Sequence, residues 1–206
     1  MKKLFFILIL CLLAAPLSRA QILKMGLRGG VNSGIYSFDT FVVDGKVITP
    51  VSDFDAGYQL GLVLRLSIPH FVYIQPELNF LSRDYTFGVA ASGRLPNYKT
   101  VRTERLELPV AIGVKLAALR LFGGPVFRLG AHQCALGDDN DLSVAFDDKE
   151  VAAMAGFAID LRNVFVEARC MKYLNKTSSV FSLGHETATI NPTTDEFWQF
   201  SIGFLF

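Results

Sequence analysis

Arg28, Arg65, Glu77, Arg105, Glu107, Arg120, Arg128, Asp160, Glu167 and Arg169 are the residues whose type and spacing carry most of the chemistry in this chain of 206 residues. Arg105 and Glu107 stand two apart, as do Glu167 and Arg169, and on a β-strand that spacing puts both side chains on one face. Charges gathered on one face of several strands are expected to meet as ion pairs, because a lone charge in an enclosed space loses its hydration without compensation. The role expected of them is structural. Catalytic readings find less support. His185-Glu186 sets a histidine beside an acid, as a lipid-acting hydrolase would need, but no serine or second acid stands at a spacing that completes the group. Asp139, Asp141, Ser143, Asp147 and Glu150 have calcium-loop spacing, yet Val144 occupies the position that needs glycine, so a solvated acidic loop is expected. The pairs Gly29-Gly30 and Gly123-Gly124 open no helix and are not phosphate loops. The chain is therefore expected to be no enzyme, with no catalytic residue, cofactor or metal.

The elements that must position these charges follow from alternation. Period-2 patterning of apolar and polar residues marks eight strands with two unlike faces. Met25, Leu27, Gly29 and Val31 oppose Lys24, Gly26, Arg28, Gly30 and Asn32; Tyr58 to Leu66 oppose Gln59, Gly61, Arg65 and Ser67. Val72, Ile74, Leu78 and Phe80 oppose Tyr73, Gln75, Glu77, Asn79 and Arg83. The clearest stripe is Leu106, Leu108, Val110, Ile112 and Val114, against Arg105, Glu107, Ala111, Gly113 and Lys115. Leu119, Leu121, Phe127 and Leu129 then oppose Arg120, Gly124, Arg128 and Gly130. Val151 to Leu161 oppose Gly156, Ala158 and Asp160, and Val164, Val166, Ala168 and Cys170 oppose Glu167, Arg169 and Tyr173. Last comes a strand ending on Phe206, with Trp198, Phe200, Ile202, Phe204 and Phe206 on one face and Leu205 the apolar intruder on the other.

Links after the second, fourth and sixth strands are short, while those after the first, third, fifth and seventh run to about 15–20 residues. Strict short and long alternation is the pattern of an all-β, eight-stranded antiparallel up-and-down transmembrane barrel, with four long outer loops and short periplasmic turns. Tyr58, Phe80, Phe127 and Trp198 are expected near the outer ends of their strands, and Phe204 and Phe206 at the periplasmic end, as two belts at the membrane interfaces. Phe41 to Ile48 reads as a hairpin turning at Asp44-Gly45. Pro76, Pro109 and Pro125 fall inside strands, where bulges are expected. The inverted alternative, a lipocalin-like or sandwich protein with the apolar stripes inward, would leave Arg28, Arg65, Glu77, Glu107 and Arg169 outside, and alternation alone does not choose between the two.

Residues 1–20 read as a cleaved secretory leader: Lys2 and Lys3, an apolar run from Leu4 to Leu13, and Ser18-Arg19-Ala20 before a mature start at Gln21. The mature domain is then 21–206. Losing Lys2, Lys3 and Arg19 leaves 17 bases and 19 acids, a net charge of −2, which is no nucleic-acid footprint. Cys134, expected in a loop, and Cys170, expected in mid-strand facing lipid, are expected to remain two thiols.

Gly26-Leu27-Arg28-Gly29-Gly30-Val31-Asn32, Gln75-Pro76-Glu77-Leu78, Leu106-Glu107-Leu108-Pro109, Gly124-Pro125, Glu167-Ala168-Arg169 and the terminal Phe206 occur in an order that resembles the PorT-like outer-membrane β-barrel domain proteins of Bacteroidetes-type bacteria. Leu174-Asn175 departs from that family's pattern after Tyr173. The resemblance implies a barrel in the outer membrane of a Gram-negative cell, and its named member implies an accessory role in protein export. The expected function is structural or interactive, with a plugged polar interior. Narrow conduction or small-molecule binding is a further alternative. Expected partners are outer-membrane lipid and lipopolysaccharide, the barrel-assembly machinery through the last strand, and envelope proteins through the loops.

Overall fold

Alternating stripes leave each strand one greasy and one polar face, and closing the sheet on itself separates the two without leaving an edge. The structure, a computed structural model, describes residues 23–36, 41–43, 46–50, 55–68, 71–91, 97–136, 142–145, 151–174, 179–183, 186–190 and 195–206. The leader, the Asp44-Gly45 and Pro69-His70 turns, Asp139, Asp141, Asp147, Glu150 and His185 lie outside the described residues.

Eight strands form the wall: β1 (Leu23–Tyr36), β4 (Asp55–Ile68), β5 (Val72–Ala91), β6 (Asn97–Leu116), β7 (Leu119–Leu136), β9 (Val151–Leu161), β10 (Val164–Tyr173) and β13 (Asp195–Leu205). Each is antiparallel to its neighbours, in the order β1-β4-β5-β6-β7-β9-β10-β13. Pairing of β1 with β13, from Gly26 opposite Leu205 to Tyr36 opposite Asp195, closes the ring. The fold is thus the eight-stranded antiparallel barrel that the alternation implies. The polarity is not inverted: Leu60 and Leu62 are 61% and 56% exposed, whereas Arg120 and Arg169 are 0% exposed.

Strand length shows where the wall outgrows a bilayer. β9, β10 and β13 have 11, 10 and 11 residues, about what a tilted strand needs to cross hydrocarbon. β5 and β6 have 20 each and β7 has 18, so that side of the wall rises roughly 20–25 Å further. Here the structure corrects the sequence reading. The second long connection, after the third strand, shrinks to residues 92–96, because Asp84 to Val89 pair with Asn97 to Arg102 as a continued ladder. Thr86 opposite Thr100 and Tyr85 opposite Val101 are pairs that suit strands. Cys134 likewise belongs to β7, opposite Arg102, and not to a loop.

Shorter strands complete the extension. β2 (Phe41–Val43) and β3 (Lys46–Pro50) form the hairpin, and β3 pairs with β5 from Lys46 opposite Ala91 to Pro50 opposite Phe87. β8 (Leu142–Ala145), β11 (Ser179–Leu183) and β12 (Glu186–Ile190) make a separate sheet in the order β12-β11-β8. That sheet lies against β7 at one end and β2 at the other.

The bulges expected at prolines do not occur there. Register runs unshifted past Pro76, Pro109 and Pro125, because a strand residue points its N–H at one neighbour only and proline forfeits one bond without moving the ladder. The register shift lies between Leu106 and Glu107, which face Gly130 and Arg128, leaving Leu129 as the extra residue. The bulge also turns Gly130 onto the outward side with Leu106, contrary to the inward placement that alternation implied. A Cβ built there would meet nothing within 4 Å.

At the other end the turns are tight. Ala117-Ala118 and Arg162-Asn163 each join strands by two residues, and Ala117 and Arg162 have φ of 56° and 60°, a region that favours glycine. Ala117→Gly should therefore stabilise the fold by about 0.5–1 kcal/mol in urea unfolding from lipid. Ala118→Gly should not.

Candidate functional site: a polar plug in the barrel

Inward faces of the eight strands project charges into a space only wide enough for side chains to fill. All nine residues expected to form a lumen network, Arg28, Arg65, Glu77, Arg105, Glu107, Arg128, Asp160, Glu167 and Arg169, are buried on that face, together with Arg83 and Arg120. They lie in three tiers.

In the middle tier Glu77 accepts from Arg28 Nη1 at 2.6 Å, from Arg169 Nη2 and Nη1 at 2.9 and 3.0 Å, from Gln75 Nε2 at 2.7 Å and from Asn79 Nδ2 at 3.1 Å. Glu167 holds the other side of Arg169 through its Nε at 2.7 Å and its Nη2, and lies 3.3 Å from Arg28. Two carboxylates and two guanidiniums thus cross-link β1, β5 and β10 across the bore. Toward the short turns, Asp160 takes Arg120 Nε at 2.7 Å, Arg65 Nη1 at 3.1 Å and Lys115 Nζ at 3.0 Å. Gln75 ties these tiers together: its Oε1 accepts from Arg65 Nε at 2.6 Å while its amide donates to Glu77. Toward the loops, Tyr173 donates to Glu107 at 2.8 Å under the guanidinium of Arg128, and Arg83 donates twice to Asn32. A cavity of about 20 Å³, room for a single water, lies among Arg83, Thr103, Arg105, Glu107, Tyr173 and Gln199.

Sequence reasoning missed the apolar residues on the polar face. Phe165, Phe122 and Met171 point inward on strands whose other inward residues are charged or small. The signal for the two rings lay across the ladder, in a glycine opposite each: Gly203 faces Phe165 and Gly156 faces Phe122, just as Gly113 faces Tyr73, which alternation does place inward. A Cβ at Gly203 would run into the Phe165 ring. Guanidiniums then stack on the rings. Arg65 lies 5.7 and 5.2 Å from Tyr73 and Phe165, Arg120 5.2 Å from both, and Arg169 5.4 Å from Phe122. Leu205, the intruder on its strand, packs with Val63 and Phe165 beneath this tier.

Outside the wall, Tyr58, Phe80, Phe127, Trp198, Phe204 and Phe206 are all exposed. Phe80 and Phe127 lie in mid-strand rather than near the outer ends, because β5 and β7 continue beyond them. Beyond Phe80, Asp84 and Arg102 form a two-pronged pair at 2.7 and 2.8 Å. Those bonds hold the Asp84 carboxyl below the usual aspartate range and raise Arg102. Among the described residues no group of three or more metal-ligating side chains occurs.

No protein-family model matches the chain, and no curated protein matches it. Solved structures do. The outer membrane protein OprG of Pseudomonas aeruginosa is similar over 89% of this chain and 95% of its own, at 15% identity and TM-score 0.54. AlkL in lipid bilayers covers 89% and 90% at 13% identity and TM-score 0.49, and the outer membrane protein W of E. coli covers 89% and 97% at 12% and 0.42. At such identities the likeness is one of fold: this chain is an eight-stranded barrel of the outer-membrane kind with a buried charged interior.

Glu77→Ala should cost about 3–5 kcal/mol, because it strands Arg28 and Arg169 without their shared acceptor. Detergent-resistant folding on heating is the readout. Asp84→Asn should leave the unfolding midpoint within error at neutral pH, since the pair is well exposed. Asp84's lowered pKa places its small contribution above the unfolded aspartate range, to be lost as pH falls through the folded value.

Proposed function

We propose that this chain is an integral outer-membrane protein whose bore is plugged and whose work is done by its outer extension as a structural or surface-contacting element. The observation that carries the reading is the division of faces. Leucines and phenylalanines are exposed around a closed wall, while Arg28, Glu77, Glu167 and Arg169 seal its middle. A surface of that kind is stable against hydrocarbon and costly against water. In this reading the short turns face the periplasm, after a leader cleaved before Gln21, and the last strand is the segment read by the barrel-assembly machinery. The β2–β3 hairpin and the β8-β11-β12 sheet stand above the membrane, where lipopolysaccharide and envelope proteins are the available partners.

A second reading, an accessory part in protein export, is favoured by one observation. Gln75-Pro76-Glu77-Leu78 and Leu106-Glu107-Leu108-Pro109, which carry the resemblance to PorT-like proteins, contribute Gln75, Glu77 and Glu107 to the plug. Purification of the native protein from the envelope in a large assembly would support it, and a lone barrel would not.

The main reading expects the protein in the outer-membrane fraction, beginning at Gln21 by intact mass, and silent in planar bilayers. Recovery from the soluble periplasm, or steady single-channel conductance, would overturn it.

A further inference from the structure

We propose that the mouth of the barrel at the short-turn end binds a phosphate group. Four cations belong to the inward face there. Lys24 stands directly opposite Arg65, and Lys115 directly opposite Arg120. Like charges facing one another across a ladder repel, and this end holds two such pairs. Asp160 is the one acidic side chain among the described residues at this end, and it already accepts from Arg65, Lys115 and Arg120. Glu167, the next acid up the bore, is held by Arg169 and Arg28 through its Oε1, and its Oε2 makes no hydrogen bond and lies 3.9 Å from Arg120 Nη2, an ion pair too long to satisfy that donor. By sequence, neither Gln21-Ile22 nor Pro69-His70, which adjoin these strands, supplies a carboxylate.

The second observation is unmet donors. Nη2 of Arg65 and Nη2 of Arg120 are buried without a hydrogen-bond partner, on residues 5% and 0% exposed. Lys24 makes no hydrogen bond or ion pair among the described residues, and the Lys115 side chain is 48% exposed, so the mouth is open to solvent. An excess of positive charge with unused guanidinium N–H groups calls for a compact anion bearing several acceptor oxygens. A phosphate is that anion. It could come from solution or from a phospholipid headgroup at the rim; the second source rests on the membrane reading above, the first does not.

The test uses the folded full barrel. In zwitterionic detergent, inorganic phosphate should raise the unfolding temperature above sodium chloride of equal ionic strength. In nanodiscs, phosphatidic acid should do so relative to phosphatidylcholine alone if the group is a headgroup. Either shift, where the Lys24→Gln variant diminishes it, supports the site and identifies its source, and the absence of both overturns it. Lys24→Gln should weaken phosphate binding at least about tenfold, the loss of one charge-assisted bond. Without phosphate the same variant should be no less stable than the parent, because it removes a repulsion. A phosphate shift unchanged in Lys24→Gln and in Lys115→Gln would show general exclusion of a strongly hydrated anion rather than binding and overturn the proposal.

Discussion

Burying eleven charged side chains on the inner face, seven arginines and four carboxylates among the described residues, is the constraint to which the rest of this barrel answers. Such groups lose hydration worth more than a single contact returns, so each must find several partners. Glu77 accepts from two arginines and two amides, and Asp160 accepts from three cations. Arginine suits this work. Its fork can serve two carboxylates at once, as Arg169 does between Glu77 and Glu167, and its flat face still lies on an aromatic ring.

Those rings need space, which the opposing strand provides. Phe165, Phe122 and Tyr73 each lie across from a glycine, so the ring covers backbone that would otherwise be bare and also serves as a platform for a guanidinium. Polar groups and aromatic rings share the bore, and a space of about one water lies near the loops. The charge balance is uneven. It nearly closes in the middle tier and is strongly cationic at the short turns, and that surplus is what makes the mouth chemically distinct.

Much of this was legible because period-2 alternation is strong where one face meets an apolar medium. The eight strands, their closure and the inward set from Arg28 to Arg169 follow from it. It weakens in the extension: Tyr85, Phe87 and Val89 alternate with Asp84, Thr86 and Gly88, but Asn97 to Arg102 carries no matching stripe, so order along either segment alone does not reveal the ladder that joins them in two 20-residue strands. A bulge also defeats it, since one extra residue at Leu129 moves Gly130 to the other face. Partnerships lay further from reach. Alternation says that Gln75 points inward but not that it bridges Arg65 to Glu77, because that depends on stagger between strands rather than on order along one.

Which face meets hydrocarbon can be read from the chain's single tryptophan, Trp198, exposed on β13. Its fluorescence should be strongly quenched in bilayers of lipid brominated near the headgroup end of the acyl chain, and little affected by aqueous acrylamide. Quenching by acrylamide, with none from brominated lipid, would place the apolar wall in water and contradict the whole account.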